Sequence, residues 1–591
     1  MKIIKLALLC TAALLQAQTQ LYPIGPDSQP QAGVPAGVLT KYVLQPGRFY
    51  PGTPHNYSVY VPSQYDAAKP TAFMIYMDGS GAAGSQHVPV VFDNLIAKRE
   101  LPPMIGIFID PGVLPALSDQ AMSRYERIFE YDNISGRFAQ FLLEELIPEV
   151  GRKYNLSKDP DARGLAGTST GAMAAFVAAW QRPDQFHRVL TFIGTFVDAK
   201  GGEELAALVR KTEPRPLRVF LQDGKNDHLV AGMPYGTFYA GSWPINNQVM
   251  FEALQFAGYD SKLTYGEGGH DMRQGTAIMP DALRWLWQDY PKPIAVHEPE
   301  MTGKPGYDPR GRVYSMVSAD KPWEQVGATY KSVASPASDK EGNVFFADPI
   351  ANRIYKSDTA GKVVVFKENT GGATALHFAP DGRLYASQPA SHRIVSYGTT
   401  GDERAVAQNV DASDLAVTLQ NGIYFTDTAH KAIGFVDSKG GKRVVYSGGE
   451  IASPAGLSLT TDQAMLVVTD RQTRYSWSFQ IAKDGSLING EPFYRLYIPD
   501  LAPRSDVTGV TLDVQGQVYF ATPIGIQVTE QNGRVAAVLN PPEYGSITNI
   551  AFAGKDFDWI YAAEGTKLFR RPVKIRGVSA WSPVKPPKPP L

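Results

Sequence analysis

The sequence predicts a chain in two parts, a three-layer α/β sandwich followed by an all-β six-bladed β-propeller. Three observations carry this. Up to about Pro293, short apolar runs alternate with longer amphipathic stretches, the pattern of strands and covering helices in a mostly parallel sheet. Beyond that point one five-residue motif returns six times. Within the first part, a G-x-S-x-G segment stands between an apolar strand and an Ala-rich helix.

In the first part, residues 57–61, 72–77, 104–109, 164–168, 188–193, 217–222 and 262–265 read as strands. Residues 134–154, 171–181, 247–257 and 280–290 read as helices. In the first helix Phe138, Phe141, Leu142, Leu146 and Val150 recur at helical spacing. Pro291-Lys292-Pro293 closes this part, so the α/β domain is bounded at 33–292. Residues 293–312, with Pro299, Gly303, Pro305, Gly306 and Pro309, read as a linker.

The second part, 313–580, repeats a strand of the form apolar–aromatic–apolar–small–polar. The copies begin at Val344, Leu384, Ile423, Leu466, Val518 and Ile560, spaced 40, 39, 43, 52 and 42 residues apart. Asp381-Gly382 and Asn421-Gly422 turns precede two of them, and second strands such as 353–355 and 393–395 follow. A period of about 40–45 residues without helical periodicity marks the blades of a propeller, here six. The Pro-rich tail 581–591 reads as an extended polyproline segment or as disordered.

Composition narrows the function. The 591 residues carry 57 Lys plus Arg against 58 Asp plus Glu, a net charge of −1. No basic excess is available for a phosphate backbone, so a nucleic-acid partner is excluded. One cysteine, Cys10, excludes a disulfide framework, a Cys-ligated zinc site and a thiol active site. Residues 1–17 read as a bacterial secretory signal: Lys2 and Lys5, an apolar run over 6–15, then Ala17. That run is too short to span a bilayer, no other stretch is long enough, and Leu9 before Cys10 argues against lipidation. The chain is therefore expected in the periplasm or outside the cell.

The chemistry centres on Gly167-Thr168-Ser169-Thr170-Gly171. Between strand and helix this segment reads as a nucleophile elbow, with the Ser169 hydroxyl exposed on a strained turn. A serine needs a base and an orienting acid, in the chain order Ser, acid, His for this architecture. His270 follows the last strand on a Gly-rich turn and is the candidate base. Asp223 and Asp227 both follow the strand at 217–222; Asp227 is preferred, because Asp223-Gly224 is also ordinary turn chemistry. The Thr170 N–H is one candidate oxyanion donor, and Gly79 or Ser80, after the strand at 72–77, supplies the other.

At these residues the chain resembles the esterase D-like branch of the α/β hydrolases, which includes enterochelin esterases and the feruloyl and acetyl-xylan esterases of carbohydrate esterase family one. The resemblance covers roughly residues 40–290. It rests on Met77-Asp78-Gly79, Glu130-Tyr131-Asp132, the Ser169 elbow, the stretch from Phe220 to Asp227, and Gly268-Gly269-His270. It implies Asp227 as the acid. It also implies that Glu130, Tyr131 and Asp132, with Trp243 of Gly241-Ser242-Trp243-Pro244, line the substrate cleft.

The second part resembles the gluconolactonase/regucalcin propellers, whose central metal is held by a Glu, by Asn residues in turns and by an Asp. At the corresponding segments Ala334 replaces the Glu, Thr374, Ser413 and Ala455 stand where Asn is expected, and Thr508 replaces the Asp. Asp414 and Asp506 are the carboxylates left nearby. The fold resemblance stands, and the metal site and lactonase activity are not carried over. The resulting expectation is a serine esterase without cofactor, acting on feruloyl or acetyl esters of plant polysaccharide. A siderophore esterase, a propeller-borne lactonase and a carbohydrate-binding protein are the alternatives.

Overall fold

The computed structural model describes residues 21–198, 200–228, 241–298 and 312–589. The chain divides into two compact units, Met1–Arg210 with Pro214–His297, and Lys211–Glu213 with Glu298–Leu591. The expected signal peptide lies outside the described residues, as does most of the expected linker.

The first unit is built on eight strands: β1 (Val38–Leu44), β2 (His55–Val61), β3 (Ala72–Met77), β4 (Met104–Ile109), β5 (Arg163–Thr168), β6 (Arg188–Phe192), β7 (Arg218–Gly224) and β8 (Asp260–Gly266). They lie in the order β1-β2-β4-β3-β5-β6-β7-β8. β1 and β2 pair antiparallel, β2 meets β4 antiparallel, and every later pair is parallel. This is the sheet of an α/β hydrolase. β3 and β4 are buried at every position, which is why they read as near-continuous apolar runs. β1 is an edge strand with Val38, Leu39 and Val43 exposed; it carries no comparable run, and the sequence reading passes over it.

The helices that frame the site are α1 (Val88–Ala97), α2 (Thr170–Gln181), α3 (Trp243–Ala257) and α4 (Arg273–Trp287). α2 is buried from Thr170 to Trp180; its five alanines let it lie close on the sheet. Two expectations change here. The helix expected over 280–290 begins at Arg273 instead, and Pro280 sits in its interior. The helix expected over 134–154 runs as Arg137–Phe141, a π-helical turn Leu142–Leu146, and Ile147–Gly151. Pro148, which has no N–H to give an i−4 carbonyl, follows the widened turn directly. Met74, Phe92, Phe108, Leu190, Phe220, Met279 and Trp287 belong to one core cluster joining β3, β4, β6 and β7 to α1 and α4.

The second unit is a six-bladed propeller of four-stranded antiparallel sheets. Each of the six motif copies falls on the second strand of its sheet: Val344–Asp348, Leu384–Gln388, Ile423–Asp427, Met465–Asp470, Val518–Thr522 and Trp559–Glu564. Their apolar positions interleave with neighbouring blades, so the strand is buried on both faces. The ring closes when Glu324–Val326 pairs with Lys567–Pro572 as the outer strand of the last blade, which leaves no blade incomplete. The tail is neither free nor disordered over the described residues. Val584 N–H donates to Thr461 O (2.7 Å), and Pro587 O accepts from Gln531 Nε2 (2.8 Å). Trp581 packs edge-on to Phe557 at 6.0 Å. The Trp581 ring, the Val584 N–H and the Pro587 carbonyl each find a partner here, which the proline content of the tail concealed. No helix among the described residues is long and apolar enough to cross a membrane.

Candidate active site

The sharp turn between β5 and α2 sets Ser169. Its backbone has φ 59° and ψ −123°, a conformation that costs a non-glycine residue energy and persists only when its surroundings enforce it. Ser169 N–H donates to Phe192 O at 2.9 Å, and Ser169 O accepts from Ala172 N–H (3.0 Å) and Thr195 N–H (3.1 Å). Strand and helix approach so closely that a Cβ on Gly167 would lie 2.1 Å from Gly171 O. Both glycines of G-x-S-x-G answer this crowding.

β5, β7 and β8 are parallel, so their carboxyl ends open on one edge. There Ser169 Oγ lies 3.0 Å from His270 Nε2, and His270 Nδ1 lies 2.8 and 3.1 Å from the Asp227 carboxylate oxygens. The Asp227 side chain is wholly buried, while the imidazole keeps 22% exposure. Asp223, within β7, does not touch the imidazole. It accepts Gly224 N–H at 2.7 Å and Asn247 Nδ2 at 3.0 Å. Burial, and then the charge of Asp227, push its carboxyl up to about 8, so it holds a proton that it donates to Asp227.

Two rings brace the imidazole. His228 stacks on His270 at 4.4 Å, and Trp243 meets both rings near-perpendicularly at 5.3 Å. Burial, and then His270, hold the His228 imidazole below its usual range. Trp243 is buried and so forms a wall behind His270, not the open cleft surface expected. Ligand atoms of Asp227, His228 and His270 lie within 4.8 Å of one another. The arrangement still suits a metal poorly, because both His270 nitrogens already face Asp227 and Ser169.

Of the candidate oxyanion donors, Ser80 is already engaged: its N–H donates to Asp110 Oδ1 at 2.8 Å. The N–H groups of Gly79 and Thr170 donate to no acceptor among the described residues. Glu130, Tyr131 and Asp132 are each about 1% exposed, which corrects the cleft expectation. Glu130 Oε1 bonds His55 Nε2 at 2.9 Å and accepts Gly112 N–H at 3.1 Å, so its carboxylate faces the interior. From the same short helix, Arg127–Tyr131, it is Arg127 that reaches the site, donating to both Asp78 oxygens. Sequence reasoning also missed Thr195, whose hydroxyl lies 3.2 Å from Ser169 Oγ. Its signal was position: it follows β6, the strand beside the elbow strand, at the same carboxyl edge.

The propeller's central cavity, about 120 Å³, is lined by Ser335, His377, Asp414 and Asn549 among others. A resident divalent cation, implied by the fold family, does not fit this donor set. Asp414 is its one lining carboxylate; it accepts Leu415 and Leu457 N–H at 3.0 and 3.1 Å, and burial pushes it up to about 7. Asn549 Oδ1 accepts Ile550 N–H, and Ser335 Oγ accepts Leu376 N–H. Asp506, expected nearby, pairs instead with Arg504 (2.6 Å) and Arg471 (3.3 Å).

Residues 50–286 match the family described as "Putative esterase", and residues 334–564 the family described as "SMP-30/Gluconolactonase/LRE-like region". The chain is 28% identical over 227 residues to an iron(III) enterobactin esterase of Dickeya dadantii, covering 36% of this chain and 47% of that protein. It thus spans about half the length of that relative. It is 21% identical over 287 residues to a gluconolactonase of Zymomonas mobilis, covering 41% of this chain and 79% of that protein. An enterobactin esterase structure from Shigella flexneri, solved with enterobactin, aligns over 45% of this chain and 62% of its own at 22% identity, TM-score 0.35. The two family matches thus fall one in each unit, an esterase model in the first and a gluconolactonase-like model in the second.

Proposed function

We propose that this protein is an exported serine esterase that hydrolyses carboxylic esters through Ser169, His270 and Asp227. The observation that carries the reading is the unbroken hydrogen-bonded chain from Ser169 Oγ through His270 to a buried Asp227, set on a strained elbow. Asp227 accepts a hydrogen bond from the His270 Nδ1–H, which leaves Nε2 free to take the Ser169 proton as Oγ attacks the ester carbonyl. The Gly79 and Thr170 N–H groups receive the developing oxyanion. The protonated imidazole then gives its proton to the leaving alcohol. Water, activated by the same nitrogen, releases the acid from the acyl-enzyme.

The substrate we assign is a feruloyl or acetyl ester of plant polysaccharide, supported by the family resemblance and in keeping with the signal peptide expected over residues 1–17. A siderophore ester is the second reading, favoured by the likeness to the Dickeya dadantii iron(III) enterobactin esterase. Fluorophosphonate labelling at Ser169, followed by a panel of feruloyl, acetyl and enterobactin esters, tests both. Activity that survives Ser169→Ala but disappears with chelator would move the chemistry to the propeller.

A further inference from the structure

We infer that the ion pair between Asp78 and Arg127 clasps together the two loops that supply the oxyanion donors, making both side chains positioning residues for ester hydrolysis. The inference rests on Ser169 being the nucleophile.

Asp78 ends the run from β3 and immediately precedes Gly79. Its backbone is left-handed, φ 54°, and its carboxylate makes no bond to the turn that follows. Instead it accepts Arg127 Nε at 2.8 Å and Nη2 at 2.7 Å. The same Nη2 lies 3.4 Å from the carbonyl of Thr168, the residue before Ser169. On the other flank Asp78 Oδ2 lies over the elbow: a Cβ on Gly171 would come within 2.8 Å of it. One fork therefore ties the residue before Gly79 to the residues on either side of Ser169-Thr170. The two N–H groups free to meet an oxyanion sit on the two segments so joined.

A planar bidentate pair fixes orientation as well as distance, which a lysine or a single hydrogen bond does not. Its side chains are 35% and 25% exposed, and half-exposed pairs add little to global stability. Geometry of the site is what this pair has to offer. Oxyanion stabilisation acts on the transition state alone, so a loosened hole lowers kcat and leaves KM nearly unchanged.

The test uses the full chain with Arg127→Ala, Arg127→Lys and Asp78→Asn, and Ser169→Ala in parallel. For Arg127→Ala, kcat should fall on the order of 10²-fold with KM nearly unchanged, the loss seen when one oxyanion donor is removed. Arg127→Lys should lose much of the same rate because it keeps the charge without the fork. Added guanidinium, at concentrations that leave the melting temperature intact, should restore part of the Arg127→Ala rate. A kcat near wild type, a loss confined to KM, or a folded variant that guanidinium does not rescue would overturn the clasp. If Arg127→Ala fails to fold, the kcat-against-KM split of Arg127→Lys decides. Residual activity in Ser169→Ala would sink the nucleophile assignment itself; its inactivity beside an unimpaired Arg127→Ala would sink only the clasp.

Discussion

Asp223 and Asp227 form a carboxyl–carboxylate pair behind His270, and Asp227 alone reaches the imidazole. Two acids of one type, four residues apart, are separated in role by their partners. Asp223 lies inside β7 with its oxygens toward Gly224 and Asn247. Asp227 lies beyond the strand, where the loop turns it under His270.

Asp227→Asn should reduce kcat on the order of 10³- to 10⁴-fold, because the amide disfavours the tautomer that leaves Nε2 free. Asp223→Asn should cost far less, since an amide can still donate to Asp227 as the protonated carboxyl does. Steady-state kinetics on both variants check this. The reverse ordering would transfer the orienting role to Asp223.

The raised Asp223 carboxyl also sets a pH dependence of stability. The folded chain keeps this proton up to about 8, whereas an unfolded aspartate releases it near 3.8. The stability this group confers is complete below the unfolded value and is lost as pH rises toward the folded one. The slope in that window reaches at most about 1.4 kcal/mol per pH unit for one proton. Asp223→Asn should therefore gain stability relative to wild type as pH increases from about 5 to 8. Denaturant titrations at both ends of that window measure it, and a constant difference would contradict the assignment.

Ser169→Ala and His270→Ala should each abolish ester hydrolysis, by on the order of 10³-fold or more, while leaving the protein folded. Both side chains sit at the open carboxyl edge of the sheet, where truncation leaves the core untouched. Hydrolysis rates with circular dichroism check both halves of the statement. More than a few per cent of wild-type activity in either folded variant would reassign the triad.

Calorimetric titration of the protein with Ca²⁺, Mn²⁺ and Zn²⁺ should show no stoichiometric site in the propeller. The oxygens of Asp414, Asn549 and Ser335 already face backbone N–H groups, and a doubly charged ion needs several oxygens to replace its water. Micromolar binding that disappears in Asp414→Ala would show that those backbone bonds yield to a cation.

The sequence by itself determined the architecture and the nucleophile's turn. Strand–helix alternation, a period near 40 residues and G-x-S-x-G are local patterns, dictated by side-chain burial and by backbone crowding between near neighbours. The elements whose burial pattern was atypical escaped it: the exposed edge strand β1, the α4 start upstream of Pro280, and the docked tail with its Trp581. In the site, tertiary structure decided which of Asp223 and Asp227 meets His270, that Ser80 is spent on Asp110, that Glu130 turns inward to His55, and that Thr195 and Arg127 belong beside Ser169. Those relations join residues 26 to 101 positions apart, as in Ser169–Thr195 and Ser169–His270. They follow from the order and direction of β3, β5, β6, β7 and β8 in one sheet, and a side chain's type says nothing of which strand end will stand next to its own.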